Sequence, residues 1–209
     1  LIGNTGQQGE FVLVTHSPNE EDGGDVSDFG SPASTWSLTA HEARPGHEMQ
    51  FASMVENGIS QARVIYAFNS ANVEGWGLYS EAIMQQYLSP EAQLFGLKAR
   101  LMRAARAFLD PMLNLGRIGK EEAMELITRD VGLSRTLATQ EINRYTFRAP
   151  GQATSYYYGY MNLMSLRAEV ELRMRDRFSQ RAYHDFLLKQ GLLPPYILRQ
   201  AVLTEFVTQ

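Results

Sequence analysis

The sequence predicts a mainly α fold. Two observations carry that prediction. Helix-start residues (Ser, Pro) and helix-stop residues (Gly, Asn) alternate from residue 31 to the end. Between them apolar residues recur three or four positions apart, the helical period. One convincing strand stands outside this pattern, residues 10–15, Glu-Phe-Val-Leu-Val-Thr. The chain therefore divides into residues 1–33, a strand and a loop, and residues 34–209, a helical domain to which they belong.

Residues 1–9 hold three glycines and two glutamines and read as a loop. The strand that follows is either an edge strand that pairs with a peptide backbone or a cover for the core. Residues 17–33 are acidic and rich in Gly, Ser, Pro and Asp, so they predict a surface loop, a candidate flap. Ser31-Pro32 opens a helix that runs to about Glu56 and stops at Asn57-Gly58. Residues 60–87 are helical, with Gly75 and Gly77 interrupting. Trp76 and Tyr79 within them are core residues. Ser89-Pro90 starts another helix with an apolar face of Leu94, Leu97, Leu101, Ala105, Phe108 and Leu109. Arg103, Arg106 and Asp110 fall on its other side. They predict intrahelical pairing, or guanidiniums that hold a substrate carboxylate. A short helix at 120–130 closes at Gly132, and Ser134 caps the next, which carries Arg144 and Tyr145 and breaks at Pro150-Gly151. A long helix reaches about Phe178. Ser179 caps another through Lys189, Gly191 ends it, and Pro194-Pro195 opens the last.

The stretch that points to chemistry is residues 39–51, Thr-Ala-His-Glu-Ala-Arg-Pro-Gly-His-Glu-Met-Gln-Phe. His41 and His47 bracket Glu42. Two imidazoles and a carboxylate can supply zinc ligands and a base. The usual helical form spaces the histidines four apart so that both share a face. A spacing of six rotates the second ring by roughly 240° on a regular helix. Pro45 and Gly46 lie between them, and a bulged or broken turn there would return His47 to His41. The plainer reading is a helix end with surface histidines. Glu74 and Glu81 follow two turns apart on one helix face, so one can be a third ligand and the other a supporting carboxylate. His16 and His184 lie outside the motif, and His184 reads as a structural histidine.

Four blocks resemble the bacterial domain-of-unknown-function family 885. They are His41-Glu42-Ala43-Arg44-Pro45-Gly46-His47, Glu74-Gly75-Trp76-Gly77-Leu78-Tyr79-Ser80-Glu81, Pro150-Gly151-Gln152-Ala153-Thr154-Ser155-Tyr156, and residues 183–194. That family is regarded as similar to gluzincin metallopeptidases. The resemblance implies a zincin-like helical metallopeptidase lobe with Zn²⁺ on His41, His47 and Glu74. It favours Glu74 as ligand over Glu81, which becomes the carboxylate that supports a ligand from behind. It also implies a zinc-activated water with Glu42 as its general base, and Tyr156 as the oxyanion donor. Arg103, Arg106, Tyr145 and Gln152 are the candidate substrate-binding residues. Glu48 stands where relatives often carry another histidine. Family members are commonly more than twice as long, so the chain resembles their C-terminal part, with the N-terminal half as its missing partner.

Composition agrees with a globular domain: 209 residues, 44% hydrophobic and 20% charged. A net charge of −4 without a basic run argues against nucleic acid as a partner. There is no cysteine, hence no disulfide, and no apolar run long enough for a membrane span. The expected activity is zinc-dependent hydrolysis of peptides, carboxypeptidase-like on short peptides. The alternative is a non-catalytic helical domain that binds peptide. A homodimer is expected if apolar surface is left open. The compartment stays open between bacterial cytoplasm and periplasm or secretion.

Overall fold

The structure is a computed structural model and describes residues 31–208, except the side chain of Gln61. All regular structure among the described residues is helical. The expected strand at 10–15, the loop ahead of Ser31 and His16 lie outside them.

Ten α-helices follow in order: α1 (Pro32–Glu42), α2 (His47–Glu56), α3 (Gln61–Tyr66), α4 (Ser70–Met84), α5 (Pro90–Asn114), α6 (Lys120–Glu125), α7 (Arg135–Asn143), α8 (Thr154–Met174), α9 (Gln180–Lys189) and α10 (Pro195–Ala201). The predicted caps form. Ser31, Ser89, Ser134 and Ser179 each accept a hydrogen bond from the backbone N–H three residues on, at 3.2, 3.3, 3.2 and 3.4 Å. Each satisfies one of the orphan donors of a helix start. Three helices run into wide π turns, at Leu126–Asp130, Arg144–Arg148 and Val202–Phe206.

Two large apolar cores form, beside a small third cluster of Met54, Val73 and Leu192. One joins α4, α8, α9, α10 and the π turn after it through Trp76, Tyr79, Leu163, Val170, Leu187, Leu198 and Val202. The other joins α5 to α6, α7 and the π turns after them through Met102, Leu109, Ala123, Ile127, Ile142 and Tyr145. Helices α4 and α8 cross at Gly75 and Gly159. A Cβ on Gly75 would lie 2.5 Å from the Gly159 carbonyl carbon, so only glycine allows this approach.

Three expectations need correction. The helix from Ser31 does not run through to Glu56. It stops at Glu42 and restarts at His47, because α4 holds the intervening turn open: Trp76 Nε1 donates to the Pro45 carbonyl at 2.9 Å and Ser80 Oγ at 3.2 Å. Gly75 and Gly77 do not interrupt a helix. The break falls earlier, at residues 67–69, where Asn69 caps α4 on the Asn72 N–H at 2.9 Å. The third correction is the orientation of α5. Leu94, Leu97, Leu101 and Phe108 are 66%, 48%, 49% and 42% exposed. Ala105 and Leu109 are buried as expected, and the inward side also carries Ala92, Gly96, Ala99 and Met102, together with Arg103, Arg106 and Asp110. Small residues let α5 approach α1 and α8, and each buried charge has a partner from elsewhere. Asp110 accepts from the N–H groups of Gly151 and Ala153 at 2.8 and 3.0 Å and so anchors the turn that leads into α8.

Candidate metal centre

The broken turn after α1 brings the histidines together. His41 is the buried penultimate residue of α1, and His47 opens α2. Their ring centres are 4.7 Å apart and nearly perpendicular. Gly46 is required in this turn, since a Cβ there would lie 1.8 Å from the His41 carbonyl oxygen. Glu74, on α4, faces both rings. Its Oε2 lies 3.5 Å from His41 Nε2 and 3.6 Å from His47 Nε2. One ligand atom from each of the three falls within 4.8 Å of the others.

These separations are too long for good hydrogen bonds. They match the edge of a tetrahedral site instead: ligand bonds of about 2.1 Å at tetrahedral angles place ligand atoms roughly 3.4 Å apart. Glu74 Oε2 and His47 Nδ1 are buried without a hydrogen-bond partner among the described residues. An orphaned carboxylate oxygen between two imidazole nitrogens is costly unless a cation fills the gap. The residues therefore fit a small divalent ion.

A second layer holds His41 in place. Its Nδ1–H donates to Glu81 Oε1 at 2.7 Å, which leaves Nε2 directed at Glu74. Glu81 in turn accepts from Ser37 Oγ at 3.0 Å and pairs with Arg103 Nη2 at 3.2 Å. This carboxylate–imidazole contact is the usual way a metal-binding histidine is oriented. Gly77 completes the cradle, because the His41 ring packs directly on its Cα; a Cβ would lie 2.5 Å from Cε1. Burial opposes charge on Glu74, Glu81 and His41, and mutual contact reverses it. Both carboxyls are held below the ordinary range, Glu74 by His41 and His47, Glu81 by Arg103 and His41. His41 is raised by Glu74 and Glu81 despite its burial.

The remaining candidates separate. Tyr156 stacks on His41 with ring centres 6.3 Å apart. Gln152 Nε2 donates to Glu74 Oε1 at 3.4 Å. Both are thus at the centre. Glu42 is exposed at the end of α1 and makes no hydrogen bond or ion pair among the described residues. Arg106 is locked in a buried two-point pair with Glu141, at 2.5 and 2.6 Å, and Tyr145 donates to the same carboxylate at 2.8 Å. Arg103 is tied to Glu81. All three are buried in pairs inside the fold, and the Arg106 guanidinium also lies over the Tyr156 ring at 5.2 Å. Glu48 is neutralised by Arg44 one turn back. His184 is a half-buried structural histidine at the edge of the core, as its sequence position suggests: Tyr79 donates to its Nε2 at 2.7 Å. Arg144 was not singled out from sequence. Its guanidinium donates to Tyr156 Oη at 3.0 Å and to the Gln152 amide oxygen. The only sequence signal was its position just before the Pro150-Gly151 break.

Residues 4–202 match the family described as "Bacterial protein of unknown function (DUF885)". The chain belongs to this family. Two solved structures share its fold. One is described as a "putative lipoprotein of unknown function" from Shewanella oneidensis, with a TM-score of 0.75 and 29% identity over 81% of this chain. The other, from Colwellia psychrerythraea, is described as a "putative lipoprotein", with a TM-score of 0.76 and 32% identity over 82% of this chain. The match spans 31% and 30% of those two chains, so this chain corresponds to under a third of their length. No curated protein matches it. Among the described residues no helix is long and apolar enough to cross a membrane.

Proposed function

We propose that the chain is the metal-binding lobe of a gluzincin-like zinc peptidase, with His41, His47 and Glu74 as ligands. One observation carries the reading: Glu74 Oε2 lies between two imidazole Nε2 atoms at tetrahedral-edge distances, buried and unpartnered. When bound, zinc supplies Lewis acidity toward a carbonyl oxygen and makes a nearby water more acidic. The protein's own groups do the rest. Glu81 fixes the His41 ring and its tautomer. Glu42, exposed beside His41, accepts the proton of the attacking water and returns it to the leaving amine. Tyr156 accepts from Arg144 and so keeps its own hydroxyl proton to donate to the substrate carbonyl oxygen. The names of the two structural neighbours favour a place in the bacterial cell envelope.

A non-catalytic peptide-binding lobe is the second reading, favoured by one fact: Glu42 has no contact that holds it against the cluster. The Glu42→Gln variant separates the two. It keeps size and polarity but cannot take the proton. In the full-length protein it should retain metal and lose nearly all hydrolysis of short peptides. Metal retention with wild-type turnover would remove Glu42 as the base. A wild-type protein that binds metal and peptide but cleaves none would establish the second reading.

A further inference from the structure

We propose that Arg144 receives the free carboxylate of the substrate, so that the site takes short peptides with an unblocked C-terminus. The inference rests on the peptidase reading and narrows its substrate class. Three arginines surround the centre. Arg103 is neutralised by Glu81 and Arg106 by Glu141, each inside the fold. Arg144 differs. Among the described residues its hydrogen-bond partners are a phenol oxygen and an amide oxygen, both neutral; Glu141, one turn back, acts on it only through space, with both its oxygens already held by Arg106 and Tyr145. Neutral acceptors hold a guanidinium in position without cancelling its charge. Arg144 is half-buried, so the charge acts in a medium less screened than bulk water.

Position sets the distance from the cut. The Arg144 guanidinium carbon lies 5.3 Å from the centre of the Tyr156 ring, and that ring lies 6.3 Å from His41. Together these legs bound the separation at about 12 Å, which no more than about four extended residues span at about 3.5 Å each. Gln152 links the two ends chemically, accepting from Arg144 and donating to Glu74. Arg144 also opens the π turn Arg144–Arg148, an irregularity that re-aims a side chain away from the regular helical direction. A planar fork of N–H donors then meets a planar carboxylate, the pairing for which arginine is suited.

The test uses acetyl-Ala-Ala-Phe as free acid and as C-terminal amide, in a full-length Glu42→Gln background so that neither is consumed. Binding of both is measured by calorimetry, and metal content is measured separately on every sample. The acid should bind about tenfold tighter than the amide or more, the range of a charge-assisted contact. Arg144→Met should bring the two within about twofold with metal content unchanged. Arg144→Lys should keep part of the preference, since a point charge remains but the fork is lost. Equal binding of acid and amide, no binding of either, or a preference that survives in a folded Arg144→Met protein would overturn the proposal. A preference lost in Arg144→Met by a protein that holds no metal would uphold the carboxylate site and remove the peptidase reading.

Discussion

Gly77→Ala is a small change with a large expected effect on one function. The added Cβ would stand 2.5, 2.6 and 2.8 Å from Cε1, Nε2 and Nδ1 of His41. Ordinary carbon contacts begin near 3.5 Å, so the ring must retreat by about 1 Å. Ligand positions in a metal site tolerate only about 0.2 Å. The His41 ring has little room, because Glu81 grips its other nitrogen at 2.7 Å. Metal affinity should therefore fall at least ~10-fold to ~100-fold, the scale seen when a ligand's support is disturbed. The fold should suffer much less. Crowding costs about 1–3 kcal/mol, and alanine returns about 0.5–1 kcal/mol of helix preference. Gly96→Ala is the control, since its Cβ would meet Ser37 Oγ at an ordinary 3.5 Å. Competitive titration with a chromogenic chelator, beside thermal denaturation, reads both quantities. Wild-type affinity in Gly77→Ala, or an equal loss in Gly96→Ala, would refute this account of how His41 is placed.

Two further predictions concern stability and association. Burial and the nearby Arg167 push the His184 pKa from 6.5 down to about 4. The unfolded chain then binds a proton that the folded chain refuses, so stability rises with pH between those values and falls on acidification. The full shift corresponds to about 3 kcal/mol, and about half that remains once solvent screening at this half-buried ring is counted. Urea denaturation at pH 7 and pH 4.5 should show that loss in the wild type and much less in His184→Gln; equal losses would contradict it. The exposed row Leu94, Leu97, Leu101 and Phe108 predicts that the isolated chain self-associates, because apolar patches of this kind seek cover. Sedimentation should show mass rising with concentration, and Leu97→Glu with Leu101→Glu should abolish it. A strictly monomeric wild type would speak against the patch.

Much of the helical frame was legible because caps are local chemistry. Ser31-Pro32, Ser89-Pro90, Ser134 and Ser179 each announced a helix that forms. The three ligand candidates were legible too, since His41, His47 and Glu74 are unusual residues in a compact pattern, and the structure brings them together. What was not legible depends on contacts far apart in sequence. The six-residue histidine spacing works only because Trp76 and Ser80 pin the turn from another helix. The orientation of α5 was misread because large aliphatic residues signal a core. The actual inward face mixes small residues with Met102 and Leu109, and it buries arginines whose partners, Glu81 and Glu141, lie on other helices. Arg103, Arg106 and Tyr145 were assigned to substrate for the same reason: nothing local shows that a buried carboxylate already holds them. Arg144 was passed over because no local pattern marks a guanidinium whose hydrogen bonds go only to neutral groups.

The central claim is that His41, His47 and Glu74 hold one metal ion. Elemental analysis of protein purified without added zinc, for the wild type and for His41→Ala, His47→Ala, Glu74→Ala and Glu81→Ala, tests it most directly. The account predicts about one zinc per wild-type chain, loss of it in the first three variants, and weakened but detectable binding in Glu81→Ala, since Glu81 orients a ligand without being one. A wild-type chain that stays metal-free even after zinc is supplied, or first three variants that hold as much as the parent, would contradict it.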